Sequence, residues 1–217
     1  MSWADLDART RTVAAVLADR GVHRGDRVLL SCAPSVDTVI AYVAVLRLGA
    51  TVVPANTAYT GRELQHILDV TRPTLAILDE PDRLGAVIDP PPITSPAALT
   101  SPGARRDLTL TLDQSRSEDP ALIGFTSGTT GLPKGAVLTH GNLLAGAQSV
   151  VVAWEWTQRD RLICALPLFH MHGLGVAVNG TLSAGAAMVV LPRFDPVEIV
   201  AVGHEATMLF GVPTMWS

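Results

Sequence analysis

The sequence predicts an α/β fold in which layered, mainly parallel sheets carry helices on both faces. Two observations predict it. Short runs of consecutive apolar residues, such as 28–30 and 75–78, alternate with longer segments of helical periodicity. Strands that are apolar at every position have both faces buried, which is typical of a parallel sheet covered by helices.

The first 80 residues are predicted to form the first α/β lobe. Two helix starts carry capping boxes, Ser2 with Asp5 and Thr60 with Glu63. One helix stop is Gly49, because glycine suits the left-handed position after a helix. The elements predicted in this lobe are, in order, a helix from Ser2 to Gly21, a strand at 28–30, a helix over 35–48, a strand at 51–53, a helix from Thr60 to before Pro73, and a strand at 75–78.

Residues 81–119 interrupt the alternation and are rich in proline, serine and threonine. This composition predicts a long connection, with one short strand at 108–112. Residues 120–217 are predicted to form a second lobe in which the alternation resumes. The elements predicted there are a strand at 122–126, a helix from Thr139 to Trp154, a strand at 162–166, a helix over 172–182, and strands at 188–191 and 207–210.

Composition and charge argue against several classes of protein. Hydrophobic residues make up 48% and the net charge is -4, so no basic face for nucleic acid is expected, and any bound anion must be held by a few local donors. No apolar run reaches the ~18 residues of a membrane span, and no signal peptide is visible. Cys32 and Cys164 are predicted to be buried, reduced thiols, which fits a cytoplasmic location.

The most informative segment runs from Phe125 to Gly135, with the sequence FTSGTTGLPKG. It follows an apolar strand and is predicted to lead into a helix. Hydroxyl groups and the backbone N–H groups of a glycine-rich loop can surround phosphate oxygens, because glycine allows the backbone to approach closely. Lys134 would add a positive charge for the same phosphates.

Other interpretations of this segment fit less well. A Walker A loop requires its lysine directly after a glycine and before Ser or Thr, whereas Lys134 follows Leu132-Pro133 and precedes Gly135. The spacing argues against a P-loop NTPase for the same reason. The glycine pattern of a dinucleotide-binding loop is also absent. An ordinary turn needs only one or two such residues, not this ordered set.

The segment resembles the phosphate-loop signature of the adenylate-forming superfamily, which includes acyl-CoA synthetases, luciferases and nonribosomal peptide adenylation domains. In that family the loop contacts the pyrophosphate of ATP. The stretch Thr139–Leu143 is similar to the segment by which the family's loop enters the next helix. By matching position, the resemblance implies phosphate contacts for Thr126, Ser127, Gly128, Thr129, Thr130, Gly131 and Lys134.

A second segment, Pro167–Gly173, resembles the family's Pro-x-Phe-His-x-x-Gly block. The resemblance implies that His170 lies beside the acyl-adenylate and helps to gate the substrate pocket. A histidine at the end of a strand is more often structural when it is considered alone. His172 is expected to be a satisfied polar residue near the start of a helix.

The resemblance implies a two-step ligase reaction. A small-molecule carboxylic acid attacks the α-phosphate of ATP, with Mg2+, to give an acyl-adenylate and pyrophosphate, and a thiol, coenzyme A as co-substrate, then displaces AMP. The segments Trp154–Trp156 and Pro192–Asp195 are similar to malonyl-CoA synthetases, although fatty-acyl-CoA synthetases share much of this pattern. A dicarboxylate would need a buried cation, whereas Arg193 is expected to lie at the surface.

Several elements of the family do not occur in these 217 residues. They are the Tyr-Gly-x-Thr-Glu block, the ribose-binding Asp, the hinge and the adenylation lysine. The resemblance therefore implies part of an N-terminal domain whose partner is a missing C-terminal domain, with negligible adenylation activity of its own. Two alternatives remain: an adenylation domain that loads a carrier protein, and a non-catalytic remnant.

Overall fold

The computed structural model of the protein describes residues 1–101, 110–126 and 133–216. The chain divides into two units. The first unit comprises Met1–Cys32 and Asp37–His140, and the second comprises Ala33–Val36 and Gly141–Ser217. Each unit is built around its own sheet.

A six-stranded sheet in the order β4-β3-β1-β2-β5-β6 organises the first unit. Strands β1 to β5 run parallel to one another, and β6 pairs with β5 in the antiparallel direction. The helices and strands of this unit, in chain order, are α1 (Trp3–Asp19), β1 (Arg27–Ser31), α2 (Val36–Arg47), β2 (Thr51–Pro54), α3 (Gly61–Thr71), β3 (Leu75–Leu78), β4 (Ile93–Thr94), α4 (Pro96–Thr100), β5 (Pro120–Thr126) and β6 (Lys134–Thr139).

Both predicted capping boxes are present. The Ser2 hydroxyl accepts a hydrogen bond from the Asp5 N–H, and the Asp5 carboxylate accepts one from the Ser2 N–H. Thr60 and Glu63 form the same reciprocal pair at the start of α3. Each box satisfies N–H groups that have no partner inside the helix, so local sequence alone fixes where α1 and α3 begin.

The central strands are buried on both faces, as the sequence predicts. On one face Leu29 packs in a cluster with Leu64 and Ile67 of α3. The neighbouring residues Val28 and Leu30 point to the opposite face of β1 and are only 0% and 4% exposed. Because neither face reaches solvent, these strands have no polar alternation, and this confirms the layered α/β class.

A three-stranded parallel sheet in the order β8-β7-β9 organises the second unit. Its core contains Ile163, Ala165 and Leu191. The elements, in chain order, are α5 (His140–Ala153), β7 (Arg161–Cys164), a π-helical segment (His172–Val178), α6 (Asn179–Ala184), β8 (Ala187–Val190), α7 (Pro196–Val202) and β9 (Met208–Phe210).

The structure differs from the sequence predictions in the region 81–139. Residues 110–112 are not a strand, whereas β4 and α4 form earlier in the proline-rich connection; residues 108 and 109 lie outside the described residues. β6 separates the glycine-rich segment from α5, so the predicted direct passage into a helix is wrong. β5 and β6 complete the first sheet, and the two units divide at residue 140.

Two differences concern the second unit. The predicted helix over 172–182 is a π-helical segment followed by α6. The helix α7 was not predicted, although its start carries a readable signal. Asp195 accepts hydrogen bonds from the N–H groups of Val197 and Glu198, and Pro196 occupies the first helical position, where its missing N–H costs nothing.

Both cysteines are buried and reduced, as predicted. Burial is the main cause that raises the pKa of Cys32 to about 12, and burial also raises the pKa of Cys164. Among the described residues, no helix has the length and apolar character needed to cross a bilayer.

We expect neither cysteine to react with iodoacetamide at pH 8 in the native chain, because alkylation requires an accessible thiolate. Mass spectrometry should show an unmodified protein after a treatment that alkylates both thiols in guanidinium chloride. Alkylation of Cys32 in the folded chain would contradict the burial that the structure assigns to it.

Candidate functional site

The glycine-rich segment joins β5 to β6, and the two strands bring its ends together. Thr126 pairs with Lys134 in the antiparallel ladder, and Phe125 pairs with Gly135. The residues Ser127, Gly128, Thr129, Thr130 and Gly131, which the sequence assigns to phosphate contacts, lie outside the described residues. The two assigned residues that the structure describes, Thr126 and Lys134, are neighbours.

Thr126 and Lys134 are both exposed. The Thr126 hydroxyl donates to the Lys134 carbonyl oxygen at 3.5 Å. The ammonium group of Lys134 forms no ion pair with the described residues, and Lys134 is the only lysine in the sequence. It is therefore available to bind an anion from solution, which its hydrated, flexible point charge suits.

Close packing of β6 on β5 explains Gly135. A Cβ atom at this position would lie 2.9 Å from Cγ2 of Ile123 and 3.4 Å from Cζ of Phe125. The Ile123 methyl group is held on a branched side chain with few alternative rotamers. A side chain at residue 135 would therefore push apart the strands that carry Thr126 and Lys134.

His66 of α3 is a contact of this hairpin that sequence reasoning missed. Its Nε2 donates to the Pro133 carbonyl oxygen at 2.8 Å; a carbonyl only accepts, so this nitrogen carries the hydrogen. The His66 ring also meets Phe125 edge to face, with centroids 6.3 Å apart and planes at 79°. Nothing in the sequence indicated the contact, because His66 and Pro133 lie far apart along the chain.

A second cation, Arg83, lies at the carboxyl ends of the parallel strands, where it is hydrogen-bonded to the protein itself. Its guanidinium donates to the carbonyl oxygen and hydroxyl of Ser31, at 3.3 and 2.9 Å, and to the carbonyl oxygen of Asn56 at 3.0 Å. Ligands of open α/β sheets commonly bind outside the carboxyl ends of strands. At that edge Arg83 holds β1 and the end of β2 together, whereas Lys134 remains open to solvent.

The second sequence-predicted site lies in the other unit, on the turn after β7. His170 is exposed, and its ring contacts Phe169 with centroids 4.4 Å apart. Within the described part of the chain the ring nitrogens of His170 form no hydrogen bond. The backbone of His170 is held at both ends, because its N–H donates to the Pro167 carbonyl and its carbonyl accepts from the N–H of Leu174.

Gly173 closes this turn by close backbone packing. A Cβ atom at residue 173 would lie 2.3 Å from the Pro167 carbonyl oxygen and 3.0 Å from its carbonyl carbon. The same oxygen accepts the hydrogen bond from the His170 N–H, at 3.3 Å. The motif therefore requires glycine here because no side chain fits between the start and the end of the turn.

His172 was expected to be a satisfied polar residue, and the structure gives it a packing role. Its ring lies against Phe210, with centroids 5.8 Å apart, and it forms no hydrogen bond to the described residues. Trp154 and Trp156 pack on the same phenyl ring at 4.8 and 5.5 Å. These contacts join the segments before β7, after it and at the end of β9.

Among the described residues, no group of three or more His, Cys, Asp or Glu side chains could hold a metal ion. Mg2+ commonly binds through one or two carboxylates together with substrate phosphates.

Comparison with known proteins gives consistent results. The family model "AMP-binding enzyme" matches residues 1–217. The long-chain-fatty-acid–CoA ligase of Bacillus subtilis is 29% identical over 100% of this chain, and the oxalate–CoA ligase of Arabidopsis thaliana is 33% identical over 96% of it. The ATP-bound crystal structure of MatB from Rhodopseudomonas palustris matches 99% of this chain with a TM-score of 0.90 and 38% identity. The chain spans 46%, 44% and 44% of these three proteins, which is less than half of their length.

Proposed function

The chain belongs to the AMP-binding enzyme family, and from that premise we propose that the complete polypeptide containing it is an ATP-dependent carboxylate–CoA ligase. In the proposed reaction a carboxylate attacks the α-phosphate of ATP and releases pyrophosphate. The thiol of coenzyme A then attacks the acyl-adenylate and releases AMP. No nucleophilic side chain is needed, so the hydroxyls of the loop are hydrogen-bond donors.

The observation that carries this proposal is the hairpin pairing of Thr126 with Lys134. It places a hydroxyl and an ammonium group, which has no ion pair among the described residues, at the two ends of a seven-residue segment that contains Ser127, Gly128, Thr129, Thr130 and Gly131. Short backbone segments of this composition bind phosphate through N–H and hydroxyl donors. We assign the pyrophosphate contacts to this segment, to Thr126 and to Lys134.

The chemical task of the hairpin is electrostatic. The first step brings a negatively charged carboxylate towards a polyanion, and donors that are already oriented lower the barrier because they need not reorganise. Lys134 would neutralise charge on the departing pyrophosphate. The fixed strand ends would keep the pyrophosphate in line with the attacked phosphorus. Magnesium supplies further charge when it enters with ATP.

His170 is assigned to the acyl side of the reaction. Its backbone is fixed by hydrogen bonds on either side, while its ring is exposed and meets Phe169. A ring held at its backbone but open at its edge can border a small ligand and move aside by side-chain rotation. This assignment supports a gating role and no proton transfer.

A short dicarboxylic acid is the substrate class we propose, with a fatty acid as the alternative. The similarity to an oxalate–CoA ligase and the resemblance of Trp154–Trp156 and Pro192–Asp195 to malonyl-CoA synthetases favour the first, and the similarity to a long-chain ligase favours the second. Arg193 is exposed, as expected, so it is not a buried partner for a distal carboxylate. The cation for that carboxylate would lie elsewhere in the complete polypeptide.

The test is carboxylate-dependent exchange of labelled pyrophosphate into ATP by the complete polypeptide, with oxalate, malonate, succinate, hexanoate, palmitate and 4-coumarate. We expect exchange with malonate at least tenfold above that with the fatty acids, and acyl-CoA on adding coenzyme A. Preference for palmitate would contradict the substrate class alone. The absence of exchange with every acid would contradict the ligase, and acyl transfer only to a carrier protein would contradict the use of coenzyme A.

A further inference from the structure

His66 contacts both arms of the β5–β6 hairpin, although it belongs to α3. Its Nε2 is 2.8 Å from the carbonyl oxygen of Pro133, immediately before β6. Its ring packs edge to face on Phe125, one residue before the end of β5. One half-buried side chain thus joins the residues on either side of the proposed phosphate-binding segment.

The helix that carries His66 is a fixed support. Its start is held by the Thr60–Glu63 capping box. Its inner face is buried through Leu64, Ile67 and Leu68, which are at most 6% exposed and pack with the central strands. Because α3 is anchored by this cluster to the central strands as well as to β5, a hydrogen bond from His66 ties the position of Pro133 to that of the sheet.

The bond to Pro133 acts directly on Lys134 through covalent geometry. The carbonyl of Pro133 and the N–H of Lys134 belong to one planar peptide unit. Fixing the direction of the carbonyl therefore fixes the direction of the Lys134 N–H and the place of its Cα. Proline itself has no N–H with which it could be held in the ladder, so its carbonyl is its hydrogen-bonding group.

We propose that His66 is a positioning residue that sets the direction in which Lys134 leaves the loop and so orients its ammonium group toward the phosphates of ATP. The inference rests on the proposed function for its consequence in catalysis, and on the contact geometry for its mechanism. The His66 hydrogen bond needs an N–H donor and not a charge, since both the neutral ring protonated at Nε2 and the imidazolium ion can donate.

Three variants separate the hydrogen bond from packing. His66→Phe keeps an aromatic ring against Phe125 and removes the donor. His66→Gln restores an N–H at about the same distance from the backbone. Arg62→Gln, at an exposed position of the same helix, is the matched control. Each is made in the complete polypeptide and measured by hydrogen–deuterium exchange of residues 134–139 and by the KM for ATP and for the carboxylate.

For His66→Phe we expect amide exchange in residues 134–139 to accelerate about fivefold, which is the effect of one lost hydrogen bond, and the KM for ATP to rise by a similar factor. The KM for the carboxylate should stay within twofold. His66→Gln should recover most of both effects, and Arg62→Gln should match the parent protein.

The proposal is overturned if amide exchange in His66→Phe equals that of the parent. It is equally overturned if His66→Phe changes both KM values alike, lowers the melting temperature and is not rescued by Gln, because that pattern indicates general destabilisation. If the parent protein catalyses no pyrophosphate exchange with any acid, the proposed function fails on that result alone. The amide exchange would still decide whether His66 holds Lys134.

Discussion

Replacing Gly173 with alanine is expected to lower the unfolding free energy of the second unit by about 3 kcal/mol, an overpacking cost at the upper end of the usual range. The added Cβ would lie 2.3 Å from the Pro167 carbonyl oxygen. Neither atom can rotate away, because the backbone fixes the position of Cβ and the oxygen belongs to the backbone. Relief requires the turn to open, and that breaks the hydrogen bond between Pro167 and the N–H of His170. The variant should therefore lose stability and displace His170 together.

Gly175→Ala provides the matched control two residues further along the π-helical segment. A Cβ there would lie 2.4 Å from Cε of Met171, nominally as close as in Gly173→Ala. The obstructing atom is the free end of a flexible, exposed side chain, which can move. We expect Gly175→Ala to change the unfolding free energy by less than about 1 kcal/mol, since alanine also lowers the entropy cost that glycine carries.

Urea unfolding of both variants, followed by tryptophan fluorescence, measures the difference. Trp154, Trp156 and Trp216 lie in the second unit, so they report on the region that the substitution changes. Equal midpoints for Gly173→Ala and Gly175→Ala would show that the turn tolerates a side chain at 173, and the close packing described here would then be wrong.

Replacing Lys134 with methionine is expected to raise the ATP concentration for half-maximal pyrophosphate exchange by about 10- to 100-fold, the range for hydrogen bonds to charged groups. Lys134 is exposed and has no ion pair among the described residues, so the substitution should change the melting temperature little. The loss would then arise from the missing contact with phosphate and not from unfolding. Lys134→Arg keeps the positive charge in a different geometry, so its ATP requirement should lie between those of the parent protein and Lys134→Met.

The sequence provides a direct second measurement, because Lys134 is its only lysine. When the 217-residue chain is treated with pyridoxal phosphate and a reductant, the only side-chain amine that can be labelled is that of Lys134. MgATP should protect Lys134, whereas adenosine, which lacks phosphates, should not. Arg159→Gln, at another exposed cation, should leave both the exchange kinetics and the labelling unchanged. An unaltered ATP requirement in Lys134→Met would contradict the role assigned to this side chain.

Much of the fold follows from local patterns. The capping residues Ser2 and Thr60 mark helix starts because their hydroxyls satisfy N–H groups within the next turn, and that bond depends on neighbours in sequence. The apolar runs that became β1, β3 and β7 were located correctly to within about two residues. Asp195-Pro196 is the same kind of local signal for the start of α7.

The strand β6 shows where local patterns fail. Its residues are mostly exposed and follow a segment whose composition suggests a loop leading into a helix. Lys134–Thr139 form a strand because they pair with β5, which is itself held in the first sheet. Sheet propensity depends on such neighbours more than on the strand's own residues.

The sequence by itself determined the α/β class, the family signature and the chemical character of the site: a hydroxyl- and glycine-rich segment ending in a single lysine, and a histidine in a proline-to-glycine turn. These are properties of short windows, where side chains and backbone interact with close neighbours. Only the tertiary structure decided that Thr126 and Lys134 face each other, that His66 holds the peptide before Lys134, and that Gly173 leaves no room for a side chain. Each depends on contacts between segments that the chain brings together only when it folds, and no local pattern encodes such a contact.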